Sequence, residues 1–162
     1  MPYALLALVL VILDQVVKYL VLTYIPLGGY VPFLPHIACL TYVQNTGAAF
    51  SMFSQHTWIL ALISLIMSVV LAVALWKNFF THPLGKVTLA LLLAGAVGNL
   101  IDRTLRGFVV DMFQLLFMIF AVFNVADICV VVGGIAAAAY YLLLADKLEH
   151  KEAPHGTADA DR

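Results

Sequence analysis

Four carboxylates stand apart in this sequence. Asp14, Asp102, Asp111 and Asp127 are its only acids before residue 146, and the other five of the nine fall in residues 146–162. The surroundings of the four are mostly apolar. An ionisable side chain at the middle of a membrane helix costs about 2.5–3.5 kcal/mol on insertion scales, so each one needs a partner or a task. Asp14 has Lys18 one helical turn away, a spacing that allows either a self-neutralising pair or a role in orienting a site. Asp102 has Arg103 beside it. Asp111 and Asp127 have no cation nearby in sequence. If two such carboxylates approach, they must share a proton. A pair in that state can run aspartic-protease chemistry, the ionised acid taking a proton from water while the protonated one polarises a carbonyl.

Amides accompany the acids. Gly98-Asn99-Leu100-Ile101-Asp102-Arg103 and Phe123-Asn124-Val125-Ala126-Asp127 each contain N-x-x-D, which on a helix puts amide and carboxylate on one face. The plainer role for Asn99 and Asn124 is to join helices, at about 0.6–2 kcal/mol per hydrogen bond in a membrane. Other chemistries lack equipment: there is no H-E-x-x-H, no G-x-S-x-G and no histidine within an apolar run. His36 and His56 are expected at the surface or in caps. No metal site and no cofactor is expected. Cys39, in a loop, and Cys129, in an apolar run, imply no disulfide framework.

The elements that must hold these residues are membrane helices. The chain is 64% hydrophobic and 10% charged, with a mean hydropathy of +1.05, beyond what a soluble domain can bury. A net charge of -1 gives no footprint for nucleic acid. A bilayer core needs about 20 apolar residues per helical span. Four stretches fit, at about 4–24, 57–76, 84–105 and 124–145, within one domain of residues 1–145. The run Tyr3–Tyr24 has no basic start and contains Asp14 and Lys18, so it reads as a retained span and not a cleaved leader. Residues 146–162 read as a polar, disordered cytoplasmic tail.

Lys77 and Lys86 lie between the second and third spans, Lys147 and Lys151 follow the fourth, and the first loop has no Lys or Arg, which predicts both termini in the cytoplasm. Arg103 and Arg106, on the outer side, weigh against this. The loops near Ile25–His56 and Arg106–Phe123 then share the outer face. The first holds a strand-like run, Ile37–Gln44, expected to form a small sheet over the bundle. The second is apolar and is expected to rest in the interface, partly helical.

Taken in order, Asp14-Gln15-x-x-Lys18, Asn45-x-Gly47-Ala48-Ala49-Phe50-Ser51, Gly98-Asn99-x-x-Asp102-Arg103, Val110-Asp111 and Phe123-Asn124-x-Ala126-Asp127 resemble the lipoprotein signal peptidase (signal peptidase II) family across nearly the whole chain. The resemblance implies an all-α membrane protein with four spans and a small extramembrane β element. It implies an intramembrane aspartic endopeptidase of the bacterial inner membrane, without cofactor, that removes signal peptides from prolipoproteins by cutting before the diacylglyceryl-modified cysteine. By this resemblance Asp111 and Asp127 are the catalytic pair, while Asp14, Lys18, Asn45, Gly47, Asn99, Asp102, Arg103 and Asn124 shape the site or hold substrate. Expected partners are lipidated precursors and membrane lipid, with the chain acting as a monomer. Phe120-Ala121-Val122-Phe123 departs from the family pattern, which commonly has a proline between the two phenylalanines. Two rival readings of the acids are a small proton-coupled transporter and a structural membrane subunit.

Overall fold

The computed structural model describes residues 2–47 and 57–142. The predicted tail, the end of the fourth span, His56 and the second half of the Asn45–Ser51 motif lie outside them.

Helices form where the apolar runs are long. They are α1 (Pro2–Tyr24), α2 (Thr57–Trp76), α3 (Pro83–Leu105) and α4 (Val125–Tyr140). The first three are long and apolar enough to cross a membrane, and α4 is apolar but described for only 16 residues. Trp58 and Trp76 sit near the two ends of α2, both well exposed. At about 1.5 Å per residue they stand roughly 27 Å apart, the spacing of the two aromatic belts of a bilayer. Pro83 opens α3, and His82 caps it by accepting the Leu84 N–H on Nδ1 at 3.2 Å.

The helix α3 is the inner one, packed against α1, α2 and α4. Glycines set how closely they meet. A Cβ at Gly95 would lie 2.5 Å from the Ala126 carbonyl oxygen and from Val130, and one at Gly98 would lie 2.7 Å from an Asp14 carboxylate oxygen. This is small-residue packing, the way membrane helices gain contact without a hydrophobic drive between them.

Three strands cover one end of the bundle: β1 (Tyr30–Leu34), β2 (Ala38–Asn45) and β3 (Val109–Leu115), antiparallel in the order β1-β2-β3. The sheet therefore draws on both the first and the third loop. The expectation of a partly helical third loop is wrong over 109–115. Gly107, at φ +78, stops the chain leaving α3. The β-branched pair Val109-Val110 then enters a ladder with β2.

Strand alternation sorts the sheet into two faces. Val110 and Met112 join Tyr42 in packing on Val21 and Ile25 of α1. Asp111 therefore points the other way, on the face it shares with Val109 and Asn45. A shift in register between Leu40 and Val43 places one extra residue in β2, a bulge.

Two glycine substitutions on the bundle should separate packing from propensity. Gly95→Ala is expected to destabilise by about 1–3 kcal/mol, because a backbone carbonyl cannot yield as a side chain can. Gly134, where a Cβ would meet nothing within 4 Å, should tolerate alanine or gain up to about 1 kcal/mol. Unfolding in mixed micelles measures both.

Candidate active site

The lysine at the middle of the site is wholly buried. Lys18 Nζ donates to Asp14 Oδ2 at 2.9 Å, Asp102 Oδ2 at 3.0 Å and Asn99 Oδ1 at 3.1 Å, which uses all three ammonium hydrogens. The i,i+4 pairing of Asp14 and Lys18 is present, and the cluster also orients a site, because each acid has a lone pair left for a backbone N–H. Asp14 Oδ1 accepts the Ala126 N–H at 2.9 Å, a free donor in the first turn of α4. Asp102 Oδ2 accepts the Val110 N–H at 3.0 Å, the residue before Asp111. One charge cluster thus fixes the backbone next to Asp127 and next to Asp111.

Asp102 finds its cations elsewhere than expected. Its partners are Lys18 and Arg106, not Arg103. Neighbours in a helix point about 100° apart, whereas Asp102 and Arg106, four apart, share a face. Arg103 instead donates to Ser64 Oγ of α2 at 3.2 Å and lines the cavity.

Asn124 departs from expectation too. It is the N-cap of α4 and not part of the helix face: its Oδ1 accepts the Asp127 N–H at 2.9 Å, and Asp127 Oδ2 accepts the Asn124 N–H at 3.2 Å. This is a capping box, with N-x-x-D in place of the commoner S-x-x-E. The Asn124 amide nitrogen donates to Asp111 Oδ1 at 2.6 Å and Asn99 Oδ1 at 3.2 Å. Asn99 Nδ2 donates to Asp127 Oδ1 at 2.7 Å, and Asn45 Nδ2 to Asp111 Oδ2 at 2.9 Å. Every oxygen of both acids accepts an N–H, and one asparagine is bonded to both.

Asn45, Gly47, Asn99, Arg103, Asp111 and Asp127 open on a cavity of about 470 Å³, whose remaining wall is apolar, from Leu115 and Phe120 to Val131 and Val132. Asp14, Lys18 and Asp102 sit behind it, sealed from solvent. All ten residues singled out in the sequence therefore converge. Gln15, Ser64 and Arg106 had no place among them, yet Gln15 bonds both Asp102 and the Gly98 carbonyl. Its place in the motif Asp14-Gln15-x-x-Lys18 was the available sign.

Asp111, on β3 and outside the helices, has its carboxyl raised to about 6, first by burial and then by the negative charge of Asp127; the hydrogen bonds from Asn45 and Asn124 and the charge of Lys18 oppose the rise.

The model of the signal peptidase (SPase) II family matches residues 6–143. The chain belongs to the signal peptidase II family. It is 43% identical over 155 residues to the lipoprotein signal peptidase of Enterococcus faecalis, covering 96% of this chain and 95% of that one. It is 44% identical over 138 residues to the lipoprotein signal peptidase of Streptococcus pneumoniae, covering 82% and 86%. A solved bacterial membrane enzyme superimposes with a TM-score of 0.84 at 30% identity, covering 96% of this chain and 94% of the other. The chain is thus a multi-pass bacterial membrane protein and a protease.

Two outcomes test the site. Lys18→Met leaves Asp14 and Asp102 buried without their shared cation and should cost about 3–5 kcal/mol, read as lost folded yield or a lower unfolding midpoint. For Asp111, the folded value lies above the ordinary 3.8, so its contribution to stability is full below that value and is lost as pH rises to about 6. Removing a donor to the anion in Asn45→Ala should move the Asp111 midpoint further up, in a carboxyl NMR titration.

Proposed function

We propose that Asp111 and Asp127 are the catalytic pair of an aspartic endopeptidase that works at the membrane. The protein removes signal peptides from prolipoproteins, as its family does; the finer reading is that it cuts just before a cysteine carrying a diacylglyceryl group. One observation carries this. Among the described residues, the two acids without an ion pair are the two that open on the cavity, tied together through Asn124, while the ion-paired Asp14 and Asp102 are closed off behind them.

In this mechanism the ionised acid takes a proton from a water held between the pair, and the oxygen attacks the scissile carbonyl carbon. The other acid gives its proton to the carbonyl oxygen. Collapse of the resulting diol breaks the C–N bond: the proton first taken from water goes to the leaving amine, and a diol hydroxyl returns its proton to the other acid, which restores the starting pair. The carboxyl of Asp111, raised to about 6 by burial and by the charge of Asp127, titrates closer to neutral pH than a free carboxylate does. The two acids and water complete the reaction, so no metal or cofactor enters it.

The lining divides the substrate. The apolar wall around Phe120, Val130 and Val131 suits acyl chains and the apolar stretch of a signal peptide, and the polar end at Asn45, Arg103 and the acids suits the cleavage site. For topology, we infer that α4 is a fourth span within a single domain of residues 1–145, with the active site toward the outer face and both termini and the 146–162 tail cytoplasmic. Arg103 and Arg106, which weighed against this orientation, are both engaged inside the site, so Lys77 and Lys86 are left to set it. A monomer suffices, because one chain supplies both acids. Membership of this family does not favour a transporter or a structural subunit.

Asp111→Asn and Asp127→Asn should each lower cleavage of a lipidated precursor peptide by at least about 10³-fold with circular dichroism unchanged. The unlipidated peptide should be a poor substrate of the wild type. Full activity in either variant would sink the assignment.

A further inference from the structure

The far end of the sheet carries a surface that the site does not use. All of β1 is exposed. The turn between β1 and β2 meets the segment leaving β3 where the Leu116 N–H donates to the Ile37 carbonyl at 2.9 Å. Around this contact Phe33, Leu34, Ile37, Phe117 and Ile119 all stand exposed, Ile119 at 104%. No Lys, Arg, Asp or Glu occurs from residue 19 to 76 or from 112 to 126. Edge strands in water are guarded by charge, and contiguous apolar patches of this kind mark a contact surface.

Continuity decides what covers it. Phe120 lines the same cavity as Val131 and Val132, which face outward from the apolar helix α4. The tip thus extends the lipid-facing surface of the bundle without a charged interruption. Depth is bounded as well: among the described residues the outer edge of β1 pairs with no further strand, and unpaired backbone is costly in hydrocarbon, so side chains enter while the strand stays among the headgroups.

We propose that this tip is a membrane-inserted surface, its partner the acyl-chain boundary of the leaflet beneath the sheet, and that it fixes the height of β3 and Asp111 over the bilayer. The proposal is independent of the chemistry at the two acids. The full chain carrying Trp58→Phe, Trp76→Phe and Ile119→Trp, reconstituted in phosphatidylcholine vesicles with brominated acyl chains, tests it. The single tryptophan should be quenched at least about twofold more by bromines near the headgroup end of the chain than by bromines near its terminus, and hardly at all by aqueous iodide. Iodide quenching with little effect of bromolipid would overturn the proposal. Protection from both quenchers would also overturn it; if emission then changed on dilution with lipid, a second copy of the chain would be the cover. Phe117→Trp in the same background repeats the measurement if Ile119→Trp fails to fold.

Discussion

A lysine ammonium with no access to water cannot stay charged unless its partners are held in place around it, and the fold follows from that demand. Lys18 reaches Asp14 on its own helix and Asp102 and Asn99 on α3. Stripping these charges of water carries a penalty that attraction offsets only when the geometry is good and the remaining lone pairs are used. They are used here by the Ala126 and Val110 N–H groups. Those two donors belong to the elements that carry Asp127 and Asp111. Burying the cation and placing the two acids are thus one problem with one solution, and Gly98 makes it sterically possible by leaving room for the Asp14 carboxylate.

The cluster also balances its charge. Lys18 and Arg106 offset Asp14 and Asp102, which leaves the cavity acids to be tuned by amides and not by direct ion pairs. Neutral donors suit a pair that must alternate between protonated and ionised forms, because they hold the carboxylate in place without locking in its charge. Arg103 borders the same space but bonds to Ser64, so its field reaches the acids without neutralising either one.

Much of this was legible in the residues. Apolar run length located the helices, and the scarcity of acids identified the ones that matter. The sorting of the acids into paired and unpaired also followed from spacing, although Asp102 took Arg106 and Lys18 where Arg103 stands beside it in sequence. Adjacency misled because a helix turns about 100° per residue. The third loop was harder. Val109-Val110-Asp111-Met112 alternates as a strand does, but the apolar run after it hid the pattern, and a strand is stable only through a partner 66 residues away, as Asn45 is from Asp111. Asn124 read as a residue on a helix face when it is the cap. N-x-x-D fits both periodicities, and only the extended backbone at Asn124 distinguishes them.

The segment from Val110 to Ala126 is pinned at both ends by buried carboxylates, and again where Phe113 and Phe123 exchange backbone hydrogen bonds. What lies between is tied to the acids through these bonds, and through Leu115, Phe120, Ala121 and Val122 it forms part of the wall of their cavity. A fold arranged in this way lets substrate preference evolve on one hairpin while the hydrolytic centre stays fixed.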